Sequence, residues 1–132
     1  MNIFKKRDIF QVKSTPVDPR ALPEPQNATD YINRGMAYYA RHQYDSAEDD
    51  LRRATAMDPN SVDAFYSLGM VYKALQRKDE AVKVFKTSID LLDSMHDENK
   101  SHYAMLRRLA MGHINEITTG DWNLEKEIWQ HI

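Results

Sequence analysis

Tyr31-Ile32-Asn33-Arg34-Gly35-Met36-Ala37-Tyr38 and, 34 positions on, Phe65-Tyr66-Ser67-Leu68-Gly69-Met70-Val71-Tyr72 decide the fold. The octets share an aromatic at the first place, glycine at the fifth, methionine at the sixth and tyrosine at the eighth. The same offset carries Ala47 onto Ala81, Leu51 onto Phe85 and the small Ala54 onto Ser88. A period of this length, kept at so many fixed places, marks a tandem supersecondary unit that buries its core only by stacking on its neighbour.

Each octet reads as helix, yet carries a glycine that costs ~1 kcal/mol against alanine in a helix interior. Such a glycine is best explained by close backbone approach, and Ala47 and Ala81 supply the matching small surface on a second helix. Tyr38 and Tyr72 then fill the space between helices, so the repeated residues are core. Asp58-Pro59-Asn60-Ser61 breaks the chain between units and offers Asn60 or Ser61 as a helix N-cap. Glu48 and Asp49 precede Arg52 and Arg53 by four residues, which makes Glu48-Asp49-Asp50 read as a solvated helix face.

These residues resemble the tetratricopeptide repeat, a helix–turn–helix unit of the same period. Residues 28–61 supply Tyr31, Gly35, Tyr38, Ala47, Leu51, Ala54 and Pro59 to its pattern, departing at Arg34 where leucine is usual. Residues 62–95 supply Phe65, Leu68, Gly69, Tyr72, Ala81 and Phe85, departing at Ser88 and Asp93. The fold class implied is all-α, a helical-repeat solenoid of about six helices.

Residues 96–132 form a degenerate third unit. Residues 94–100 break the 34-residue register, and a helix over about 99–118 follows, with Tyr103, Leu106, Ala110, His113, Ile114 and Ile117 on one stripe. Gly112 lies on its flank, and the glycine and tyrosine places do not line up with the earlier units. Thr118-Thr119-Gly120-Asp121 reads as helix stop and turn, and Trp122 to Ile132 as a last short helix. Trp122 and Trp129 either wrap back onto the second unit or form an interface.

Residues 1–27 are a different region. They hold four of the five prolines (Pro16, Pro19, Pro23, Pro25) and a charge of +2, against −4 for residues 28–132. Proline removes a donor and restricts its predecessor, so Thr15 to Gln26 is expected to be extended and solvated unless something docks on it. Phe4 and Phe10 flank Lys5-Lys6-Arg7, a segment suited to docking on a protein or, less favoured, a membrane surface.

In the tetratricopeptide family the first helices of successive units line a concave groove for a peptide or partner helix. Resemblance places Ile32, Met36 and Tyr39 there from the first unit and Tyr66, Met70 and Lys73 from the second. Residues around Arg107, Arg108 and His113 would follow from the third. The family's members that capture the carboxylate end of heat-shock chaperones use lysine and asparagine at such places, and that clamp is absent from both clear units. The function implied is a non-catalytic adaptor or assembly scaffold. The alternatives are a structural subunit docked through its arm and a peripheral membrane adaptor.

Composition agrees by exclusion. The 132 residues carry a net charge of −2, which is no footprint for nucleic acid. There is no cysteine for a disulfide, thiolate metal site or nucleophile. The five histidines have no zinc-ligand spacing, the four glycines form no phosphate loop, and no cofactor motif occurs. No apolar run reaches the ~18 residues a membrane span needs. Met1 to Asp8 is charged where a signal peptide is apolar, so the expected location is cytoplasmic.

Overall fold

The computed structural model describes residues 17–95 and 103–122. These residues form five α-helices and no strand: α1 (Ala28–Ala40), α2 (Tyr44–Met57), α3 (Val62–Ala74), α4 (Lys78–Ser94) and α5 (Ala104–Thr119). The last short helix expected from sequence, with Trp129, lies outside the described residues beyond Trp122. The third-unit helix starts at Ala104, later than the sequence stripe suggested.

The repeat is legible in the backbone. Asn27 caps α1, its side chain accepting from Asp30 N at 2.8 Å, and Ser61 caps α3, accepting from Ala64 N at 3.1 Å. Helices α1 and α3 then end in the same turn. His42 and Gln76, again 34 apart, take left-handed φ values of 61° and 63°. Gln43 N donates to Tyr38 O and Arg77 N to Tyr72 O, both at 2.9 Å, closing a Schellman turn that reverses the chain. Helices α2 and α4 start directly from these turns, without a side-chain cap.

Packing explains the glycines. A Cβ on Gly35 would stand 2.9 Å from Leu51 Cγ, and one on Gly69 only 2.5 Å from the Phe85 ring. Each glycine therefore lets the first helix of its pair close onto the apolar residue 16 positions on. Ala47, Leu51, Leu68, Val71, Tyr72, Ala81, Phe85 and Ile89 make one continuous core with Ala110, Met111 and Ile114. Burying a side chain such as Phe85 contributes roughly 1.5–3 kcal/mol.

Helix α5 packs mainly on α4 and also touches α3, as α3 does on α2 and α1. Its glycine does line up, which corrects the reading from sequence. A Cβ on Gly112 would run into the Trp122 ring, so Gly112 plays the part of Gly35 and Gly69, with Trp122 as the residue it admits. The offset from Gly69 is 43 residues rather than 34, the extra length falling between α4 and α5. Gly120, at φ 76°, ends α5 as the sequence anticipated.

Residues 17–27 are less solvated than expected. Pro19–Ala21 is a 3-10 turn packed on α1, and Pro19 and Pro25 are buried. Glu24 lies 3.7 Å from Arg34, while Asp18 lies within electrostatic reach of Arg41. The segment thus runs antiparallel along the outer flank of α1, a flank that in α3 is covered by α2.

Candidate partner-binding groove

The three glycines set a common frame for the first helices of each pair. Three places before glycine stand Ile32, Tyr66 and Leu109; one after, Met36, Met70 and His113; four after, Tyr39, Lys73 and Glu116. Ile32, Met36, Tyr39, Tyr66 and Met70 are half-buried, each packed against the core from one side. Burial raises the phenol pKa of Tyr39 and Tyr66 above the ordinary value, so both stay neutral donors. Tyr39 also meets the Tyr44 ring at 5.6 Å.

At the N-terminal ends of α1, α3 and α5 the surface opens into a cavity of about 540 Å³. Ile32 and Tyr66 meet there, joined by Val62, Met95, Tyr103 and Leu106 as apolar wall and by Thr29, Asn33, Asp58, Asn60, Ser61, Asp63 and Ser67 as polar lining. Met36, Tyr39 and Met70 lie outside that lining. Its described lining contains two carboxylates and no cation. Asp58 accepts from Asn60 N at 3.1 Å, and neither Asp58 nor Asp63 has an ion-pair partner among the described residues.

The other end is filled by the protein itself. His113, 8% exposed, accepts at Nδ1 from Lys73 Nζ at 3.0 Å, so the proton of the neutral ring is on Nε2, which donates to the Tyr66 hydroxyl oxygen at 3.2 Å. Its ring stacks on Phe85 at 5.0 Å and meets Trp122 edge-on at 4.7 Å. Lys73 also pairs with Glu116 at 3.0 Å and sits 5.7 Å over Trp122. Burial first, then the Lys73 charge, pushes the His113 pKa down to about 4, with Glu116 opposing, so the imidazole is neutral at neutral pH. Of the six groove residues read from sequence, Lys73 is thus tied up and Tyr66 spans both ends.

Two further readings are corrected. Arg107 does not face the groove: it grips Asp93 at 2.8 Å, and Arg108 is exposed outside the cavity lining. The Glu48-Asp49-Asp50 run is not a uniformly solvated face. Asp50 is 4% exposed and holds Arg34 through two bonds of 2.8 Å. Glu48 reaches across units to Arg77 at 2.7 Å. Sequence reasoning missed Leu109, Glu116, Asp58 and Asp63, and the first two follow from the glycine frame once Gly112 is placed in it. Phe4, Lys5, Lys6, Arg7 and Phe10 lie outside the described residues. Among the described residues no group of His, Asp and Glu could hold a metal, and no helix is long and apolar enough to cross a membrane.

Comparison with known proteins places this geometry. Residues 32–95 match the family model described as tetratricopeptide repeat. The human tetratricopeptide repeat protein 28 is 33% identical over 66 residues, 50% of this chain and 3% of that protein. The Saccharomyces cerevisiae small glutamine-rich tetratricopeptide repeat-containing protein 2 is 31% identical over 67 residues, 51% of this chain and 19% of that protein. The chain therefore spans a small fraction of the length of either relative.

Proposed function

From the premise that this is a tetratricopeptide-repeat protein, and so carries a protein-interaction fold, we propose that it is a non-catalytic adaptor holding a partner peptide or helix. The site is the concave face of the first two units, from Tyr39 and Met36 through Met70 to Ile32 and Tyr66. The observation that carries this is the cavity where Ile32 and Tyr66, equivalent residues of successive units, meet on an open surface. Methionine at Met36 and Met70 gives an adaptable apolar floor, and Tyr39 and Tyr66 add amphipathic contact area. The absence of a cation among the described lining residues argues against an acidic ligand there.

The test is a pull-down from native lysate read by mass spectrometry, with the intact chain, Met36→Glu, Tyr66→Ala and a version lacking residues 1–26. Partners lost with both substitutions and kept on truncation support the groove. Partners lost only on truncation make the arm the docking element and the repeats a spacer.

A further inference from the structure

We propose that the chain's own N-terminal segment, residues 3–10, docks in the cavity at the N-terminal ends of α1, α3 and α5, with Lys5-Lys6-Arg7 against Asp58 and Asp63. The contact is intramolecular and makes the arm a tethered competitor for the groove. It stands whether or not a partner uses the same surface.

Charge carries the first step. Asp58 and Asp63 line a cavity whose described lining offers no cation, and neither has an ion-pair partner among the described residues. Three consecutive cations occur once in the chain, at Lys5-Lys6-Arg7. Ile3, Phe4, Ile9 and Phe10 flank them, matching a wall of Ile32, Val62, Met95 and Leu106.

Reach and direction carry the second. The described chain begins at Val17, beside Asp18, which feels the Arg41 charge at the C-terminal end of α1. The cavity lies at the other end of that helix. Thirteen residues at 1.5 Å make α1 about 20 Å long. The ten residues from Arg7 to Val17 span up to about 33 Å when extended. That covers the helix length with slack to pass around its ~10 Å width. An arm laid this way brings Phe10 and Ile9 past Tyr39 and Met36 before its cations meet the aspartates. The tether also keeps the local concentration high, so a weak contact suffices.

The experiment uses the full chain, which has no cysteine to interfere. Asn2→Cys carries a nitroxide label, and the amide signals of Ile32, Asp63 and Tyr66 are read for loss of intensity. The expected result is selective loss at these three, reversed by added salt. It should be abolished by Lys5→Glu/Lys6→Glu/Arg7→Glu, abolished by Asp58→Lys/Asp63→Lys, and restored when both sets are combined. Restoration also shows that the single sets fold. No loss at the cavity, or loss indifferent to charge reversal, overturns the proposal. So does loss seen only when labelled and isotope-enriched chains are mixed, because the occupant is then a second copy. If both this proposal and the groove reading hold, removing residues 1–26 increases partner capture. If the groove reading alone fails, the intensity loss remains and capture is unchanged.

Discussion

The two clear repeats are built on one frame and solve the same packing problem with different chemistry. Where repeat 2 places Leu68 and Val84 on facing helices, repeat 1 places Arg34 and Asp50. The backbone barely registers the change, since caps, turns and glycines recur at the same offset. What differs is the neighbour. Repeat 2 has α2 against its outer flank, and repeat 1 has, among the described residues, only the strap of residues 18–26. A charged pair that bonds within the repeat and still reaches Glu24 suits a flank half open to water. The repeat fold therefore constrains shape at the glycines and leaves polarity at its end to the local neighbour.

The largest expected effect breaks that pair. Asp50→Ala leaves the Arg34 guanidinium beside a buried void and costs about 3 kcal/mol, at the lower end for a buried ion pair because Arg34 keeps some solvent contact. Arg34→Leu with Asp50→Val, which writes repeat 2 into repeat 1, is neutral or stabilising by ~1 kcal/mol. Denaturant unfolding of the three proteins checks this, and a double variant as weak as Asp50→Ala would show that the pair is needed for more than filling space.

The second prediction extends the comparison to α5, where His113 holds the place of Met36 and Met70. A histidine whose folded pKa lies near 4 is bound neutral. The unfolded chain, near 6.5, binds more protons in between. Stability is therefore fully present above about pH 6.5 and falls as pH drops towards 4, by roughly 2–3 kcal/mol from this group. His113→Met, the repeats' own residue, flattens that part of the curve. Unfolding midpoints at pH 7 and pH 4.5 for both proteins measure it, and equal slopes would mean that carboxylates alone set the acid response.

The third sets glycine against glycine. Gly69→Ala forces a methyl into the Phe85 ring, 2.5 Å away, whereas on Gly35 the nearest atoms are Leu51 Cγ at 2.9 Å and Asp50 Cβ at 3.3 Å, a milder clash. Overpacking costs about 1–3 kcal/mol, against ~1 kcal/mol of helix propensity gained. Gly69→Ala thus destabilises by up to about 2 kcal/mol and Gly35→Ala by less than 1. A reversed order in thermal unfolding would break the assignment of Phe85 as the tighter contact.

Much of this was legible because it is periodic. Gly35 and Gly69 gave the helix pairs, Ser61 the cap and Gly120 the stop. The Arg34–Asp50 pair was hidden because its partners sit 16 residues apart on different helices, beyond the reach of an i,i+4 reading that sends Asp50 to the surface. Gly112 was hidden by the longer connection before α5, which breaks a fixed-offset search although the packing role is unchanged. Proline spacing showed what residues 18–26 could not be, and said nothing of the α1 flank that buries Pro19 and Pro25. In the groove, offsets named Lys73, yet only the fold brings His113, Glu116 and Trp122 onto it.

The smallest effect lies in the paired turns. His42 and Gln76 hold left-handed backbone that costs a non-glycine residue roughly 1 kcal/mol. Glycine removes that strain but gives the unfolded chain more freedom, so the net gain for Gln76→Gly is about 0.5 kcal/mol. His42→Gly should gain less, because His42 Nδ1 lies 2.7 Å from the Tyr44 hydroxyl and its ring meets Tyr44 edge-on. Tyr44 in turn braces Tyr39 in the groove. Differential scanning calorimetry should rank Gln76→Gly above the unaltered chain and His42→Gly level with it or below. If both substitutions stabilise equally, the His42–Tyr44 contact contributes nothing and the two turns are energetically as alike as their backbones.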